Sequence, residues 1–212
     1  MKKLKINEEE LDFLKELINI GSGNASAALE QLLNTSVVME VPGVRIIKPA
    51  ELSSLIGSLD KPVLGVKMSL VGDIKGDIFL IADDENKKAL KDLAEKAAPG
   101  YGKIEPGSDM SAFEEISNII VGVFTYSIHD FCGLNVYHTV QDSRTDVLMS
   151  LLDESIAARA RGNTEFILIE TLFQVDAKLK RNITVCLLLI LAVDSLEVFA
   201  GSIKKVREKM LA

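Results

Sequence analysis

Two short segments of this 212-residue chain carry the same residues at the same spacing. In "ELINIGSG", Glu16, Asn19 and Gly23 follow one another as Glu, two residues, Asn, three residues, Gly; in "EISNIIVG", Glu115, Asn118 and Gly122 repeat that spacing. Four residues before each Glu stands a short polar side chain, Asp12 in the first segment and Ser111 in the second. A carboxylate can pair with a partner's lysine or arginine and fix the register of docking. A carboxamide offers both an acceptor and donors, so it can hold a water molecule in one orientation, but it is too weak a base to take that water's proton. The pair therefore suits placing a water for attack rather than activating it. Phosphoryl transfer is the chemistry in which positioning carries most of the rate.

Both segments lie in helical patterns. At roughly 100° per residue, Glu16, Asn19 and Gly23 fall at about 40°, −20° and 20° from Asp12. Leu14, Leu17, Ile18, Ala25, Ala28, Leu29 and Leu32 centre on nearly the opposite side. Ser111, Glu115, Asn118 and Gly122 likewise face away from Phe113, Ile116, Ile120 and Phe124. Acidic, amide-bearing helix faces are ordinary on a protein surface; what singles these out is the repetition and the residue types. Asn is a mediocre helix former and Gly within a helix costs about 1 kcal/mol against Ala, so stability alone does not select them. Gly23 and Gly122 leave each face flat enough for another backbone to approach. Gly21 falls on the core side and is expected to serve close packing.

The elements that must carry these faces recur in order. A helix over 8–33 is followed by the β-branched stretch "TSVVMEVPGVRII", then by a hairpin over 62–82 turning between Gly72-Asp73 and Lys75-Gly76. Asp83 and Asp84 can cap the next helix, and "PGYGKIEPG" (99–107) has a linker's composition. A second helix "SAFEEISNIIVGVFTYSI" leads to a strand near "LNVYHTV", a shorter helix around 146–158, a hairpin turning near 176–182, and a last helix opened by Asp194 and Glu197 in a capping-box pattern. "ITVCLLLILAV" (183–193) reads as a strand buried on both faces. The expected architecture is an α+β fold of two duplicated helix–strand–hairpin–helix units, approximately 1–98 and 108–212. They form one domain of 1–212 with pseudo-twofold symmetry, a mainly antiparallel sheet packed by helices, and the two motif helices exposed.

Composition limits what the chain does. With 48% apolar residues and 26% charged it can bury a core, and its net charge of −7 lacks the basic footprint of a nucleic-acid binder. Cys132 and Cys186 have no metal-ligand spacing, so a disulfide scaffold or zinc site is not expected and a reducing cytoplasm fits. No apolar run is long enough to span a bilayer as a helix, so no membrane insertion is expected. The two histidines, His129 and His138, sit near no second ligand and read as structural or surface residues. "GSGN" lies inside a helical pattern rather than before one, which disfavours a nucleotide-binding loop.

At the doubled motif the sequence resembles the CheC family of chemotaxis phosphatases, which dephosphorylate the response regulator CheY. "LINIGSGNASAAL" is similar to the family's first motif helix and "SAFEEISNIIVG" to its second, with Ser117 standing where Gly is usual. The likeness extends through "GVKMSLVGDIKGDIFLI" and "DSLEVF". The resemblance implies an aspartyl-phosphate phosphatase with two centres. Glu16 and Glu115 would pair with the receiver's active-site lysine, while Asn19 and Asn118 would orient the attacking water. Asp12 and Ser111 would support the face. It implies no intrinsic cofactor, with Mg²⁺ brought by the receiver, and phosphorylated CheY as the partner. A second possible partner is the receptor deamidase CheD, for which "DVLMSLLDESI" is similar to the contact stretch and Asp153 a candidate contact; Leu148, Met149 and Ser150 replace the family's small residues there.

The rival reading is a binding protein that regulates phosphorylated CheY or CheD without turnover, using the same faces. A metal-dependent hydrolase is the weaker alternative, because the paired acids have no metal-ligand cluster around them.

Overall fold

The computed structural model describes residues 6–48, 51, 61–96, 105, 108–159, 166–175 and 181–210. In chain order its elements are α1 (Glu8–Leu33), β1 (Val37–Ile47), β2 (Pro62–Gly72), β3 (Gly76–Ala82), α2 (Asp84–Lys96), α3 (Asp109–Cys132), β4 (Val136–His138), β5 (Asp142–Val147), α4 (Leu148–Arg159), β6 (Phe166–Val175), β7 (Arg181–Leu191) and α5 (Val193–Met210).

The strands form one antiparallel sheet in the order β1-β6-β7-β3-β2-β4, with β5 also paired to β2. The order reads alike from either end: leading strand, hairpin, hairpin, leading strand. Each half lays its leading strand against the other half's hairpin, and β3 and β7 meet at the centre, Phe79 opposite Leu188. Every residue of β3 is buried and β7 is buried from Leu187 to Leu191. An antiparallel strand buried on both sides needs a layer on each face, and both are present. Leu14, Ile18, Leu29, Phe113, Ile120, Phe124, Phe199 and Ile203 bring α1, α3 and α5 onto one face. Leu148, Leu151 and Leu152 bring α4 onto the other, against Phe79, Ile81, Leu168 and Leu188.

Local chemistry sets the helix ends. Asn7 and Glu10 form a reciprocal capping box at the start of α1, and Asn34 closes its C-terminus in the left-handed conformation at φ 49°. Ser108 caps α3 and Gly133 ends it at φ 66°. Asp83 Oδ1 accepts from the Asn86 backbone N–H at 2.9 Å at the start of α2. The expected Asp194–Glu197 box is displaced: α5 begins at Val193, which puts Asp194 inside the first turn. The β5 strand was not expected from sequence. The proposed linker 99–107 and the second hairpin's turn lie almost wholly outside the described residues.

Two close approaches tie neighbouring elements together. A methyl at Gly21 would lie 2.4 Å from Ser127 Oγ and 3.1 Å from Val123 Cγ1, so α1 and α3 touch at Gly21 as expected. Gly72, at φ +113°, turns β2 toward β3, and a methyl there would lie 2.1 Å from the Asn135 carbonyl oxygen. Backbone strain and overlap act together at that position, so Gly72→Ala should lower stability by about 2 kcal/mol or more, read as a fall in the urea midpoint. Ser117 predicts the opposite. Its side chain is fully buried in α3 and its hydroxyl has no hydrogen-bond partner. Ser117→Ala should therefore hold or raise the midpoint, by up to about 1 kcal/mol.

Candidate functional site

On α3 the motif is open. Asn118 is exposed and Glu115 half-buried, and neither side chain makes a hydrogen bond or ion pair. The acids beside them are engaged: Glu114 accepts from Ser143 Oγ on β5, and Asp109 pairs with Lys87 of α2 at 3.5 Å. These contacts pin the helix while leaving Glu115 and Asn118 unoccupied. Ser111 stands in the first turn, its Oγ accepting from the Glu105 backbone N–H at 2.9 Å, so it serves the helix entry. Nothing lies within 4 Å of where a methyl on Gly122 would sit. One turn further on, Tyr126 is 57% exposed, an aromatic on the same face that the spacing argument did not include.

On α1 the same residues have a different setting. Asp12 and Glu16 are exposed and unpaired, and Gly23 has open space beside it. Asn19 is half-buried and its amide is fully engaged. Its Oδ1 accepts from the Val41 backbone N–H at 2.9 Å, while its Nδ2 donates to the Val41 carbonyl at 3.2 Å. Val41 itself is buried and lies where the β1–β6 register shifts, between Glu40 and Gly43.

The contact belongs to a series. Ser26 Oγ accepts from the Met39 N–H at 2.9 Å and Glu30 Oε1 from the Val37 N–H at 3.1 Å. Asn19, Ser26 and Glu30 lie within about 40° of one another on the helix. Together they satisfy alternate backbone groups along the edge of β1 that has no strand neighbour among the described residues. Covering an edge in this way blocks pairing with other chains, and leaving buried backbone groups unpaired would cost about 1–3 kcal/mol each. The motif helices thus differ at the amide: Asn118 is exposed on α3, whereas on α1 Asp12, Glu16 and Gly23 are exposed and Asn19 is half-buried against β1.

The remaining candidates fall outside this cluster. Asp153 is exposed on α4, on the opposite face of the sheet. His129 Nδ1 and His138 Nδ1 each lie 3.2 Å from a backbone carbonyl, of Leu134 and Thr139 respectively. Burial pushes the thiols of Cys132 and Cys186 up to about 11, which leaves them poor nucleophiles near neutral pH. Among the described residues no group of His, Cys, Asp and Glu is placed to hold a metal ion, and no helix is long and apolar enough to cross a membrane.

Comparison with known proteins agrees with this fold and motif. The model of the CheC-like family matches residues 9–46, which span nearly all of α1 and β1. The CheY-P phosphatase CheC of Bacillus subtilis (strain 168) is 28% identical over 170 residues, covering 78% of this chain and 80% of that protein. Among solved structures, FliY of Thermotoga maritima superposes with a TM-score of 0.70 at 18% identity, over 95% of this chain and 99% of that one. The FliM middle domain from H. pylori gives 0.62 at 9% identity, over 93% and 99%. The structural matches establish a shared fold. Beside that fold stands a likeness in sequence: to the CheC-like family over residues 9–46, which hold the first motif, and to the Bacillus subtilis protein over most of the chain.

Proposed function

We propose that this protein is a phosphatase that hydrolyses the aspartyl phosphate of the receiver CheY. The observation that carries the reading is the unoccupied Glu115–Asn118 pair on the open side of α3, beside the bare surface at Gly122. Glu115 docks on a lysine of the receiver, a charge pair that fixes register. Asn118 then reaches the acyl phosphate, its carboxamide oxygen accepting from a water molecule and holding it in line with phosphorus. The water attacks, the bond between phosphorus and the aspartyl oxygen breaks, and the products are inorganic phosphate and the free carboxylate. Asn118 takes no proton; it contributes orientation, which is where this chemistry gains most of its rate. The Mg²⁺ belongs to the receiver in this reading. Glu16 on α1 offers a second docking carboxylate.

A CheD contact at Asp153 would sit on α4, across the sheet from α1 and α3. A deamidase bound there would leave both motif helices accessible. Turnover is preferred to binding without turnover because the free group on α3 includes the amide, which docking by charge alone does not need.

The direct test is the decay of phosphorylated CheY with and without this protein. Wild type should accelerate decay, and Asn118→Ala should remove most of that acceleration while binding survives; an unchanged decay rate with intact binding would instead identify a non-catalytic regulator. Because docking uses a surface charge pair, the catalysed rate should fall as salt rises past about 0.15 M, where the Debye length is about 8 Å. Gly122→Ala separates stability from function. It should raise stability by about 1 kcal/mol and lower turnover several-fold, because the methyl stands on the docking surface; thermal melts and phosphate-release rates report the two effects.

A further inference from the structure

The two motif helices offer the same residues but not the same chemistry. Asn19 holds both backbone groups of Val41, whereas Asn118 holds nothing. Its partner is buried and sits at the one irregularity of β1, where the ladder with β6 shifts register and cannot supply substitute bonds. Ser26 and Glu30 fasten the same edge on the same side of α1. A water-positioning role for Asn19 would require these bonds to break, leaving a buried N–H and carbonyl without partners. The stripes differ further along as well: α3 presents Tyr126, while α1 presents the small Ala27 at the corresponding position.

We propose that Asn19 is the clasp that seals the free edge of β1, and that water positioning resides on α3 until β1 releases that clasp. This rests on the phosphatase reading above and adds a division of roles to it. The α1 face, with Glu16 exposed, is a docking surface whose amide is withheld. A partner that pulls β1 away at the bulge would free Asn19 and recruit the second centre.

Native-state amide exchange at Val41, followed by NMR on the full chain, reads the clasp directly, and phosphorylated CheY reads the division of labour. Asn19→Ala should speed exchange at Val41 by about tenfold or more, and Asn118→Ala should leave it unchanged. Asn19→Asp keeps the acceptor for the Val41 N–H and should retain most of the protection. It also carries the test if the alanine variant does not fold. Asn118→Ala should lose about nine-tenths or more of the turnover, where two equal centres would lose about half. Unaltered Val41 exchange in both Asn19 variants, or half the rate surviving in Asn118→Ala, overturns the proposal. If wild type itself fails to accelerate decay, the phosphatase reading falls, and the clasp is judged on the exchange result.

Discussion

The pairing of β3 with β7 is the constraint from which the rest of the architecture follows. Both strands are buried on both faces where Gly76 to Leu80 pair with Leu191 to Leu187. Such strands cannot lie at an edge or face water, so the sheet must extend on either side and carry helices above and below. The helices above, α1 and α3, then pack against each other on one face of the sheet, close enough at Gly21 to exclude a methyl. Their inward faces are fixed by that packing and their outward faces remain for recognition. The site is thus built on rigid elements, with each side chain's direction set by a buried neighbour one or two positions away.

Much of this was legible in the residues. The bounds of α1, the turn between Gly72 and Gly76, the capping Asp83 and the doubly buried half of β7 from Leu187 to Leu191 all follow from periodicity and turn chemistry acting locally; Thr184, earlier in β7, is exposed. The β5 strand was not legible because Asp142, Arg144 and Asp146 line an edge that pairs on one side only, with β2. It carries no apolar alternation to announce it. The part of the site that escaped sequence reasoning is the engagement of Asn19. A helical wheel places Asn19, Ser26 and Glu30 on one polar side, and that side looks solvent-facing until the following strand is folded back along it. The only local cue is that the strand begins within a few residues of the helix end, which forces β1 to run beside α1.

The contrast between α1 and α3 shows how identical spacing can yield different sites. Equivalent angles on two helices specify equivalent chemistry only if the neighbours are equivalent. Here α1 is followed by a long strand with an irregularity opposite its motif, and α3 by the three-residue β4. The amide is therefore spoken for in one place and open in the other. Ser117 makes a related point, since its side chain is buried on the inner side of α3 and does not reach the surface beside Asn118.

The exchange of leading strands bears on synthesis. β1 is made early, yet its sheet neighbour begins only at Phe166, after most of the chain has been added. A hydrophobic strand waiting that long with two open edges would be a site for mispairing between nascent chains. Because α1 precedes β1 and fastens one of its edges through side chains already made, the ribosome releases the strand half-guarded. The helix that presents a recognition surface in the finished molecule is thus, earlier in its life, a chaperone in cis for the strand that follows it.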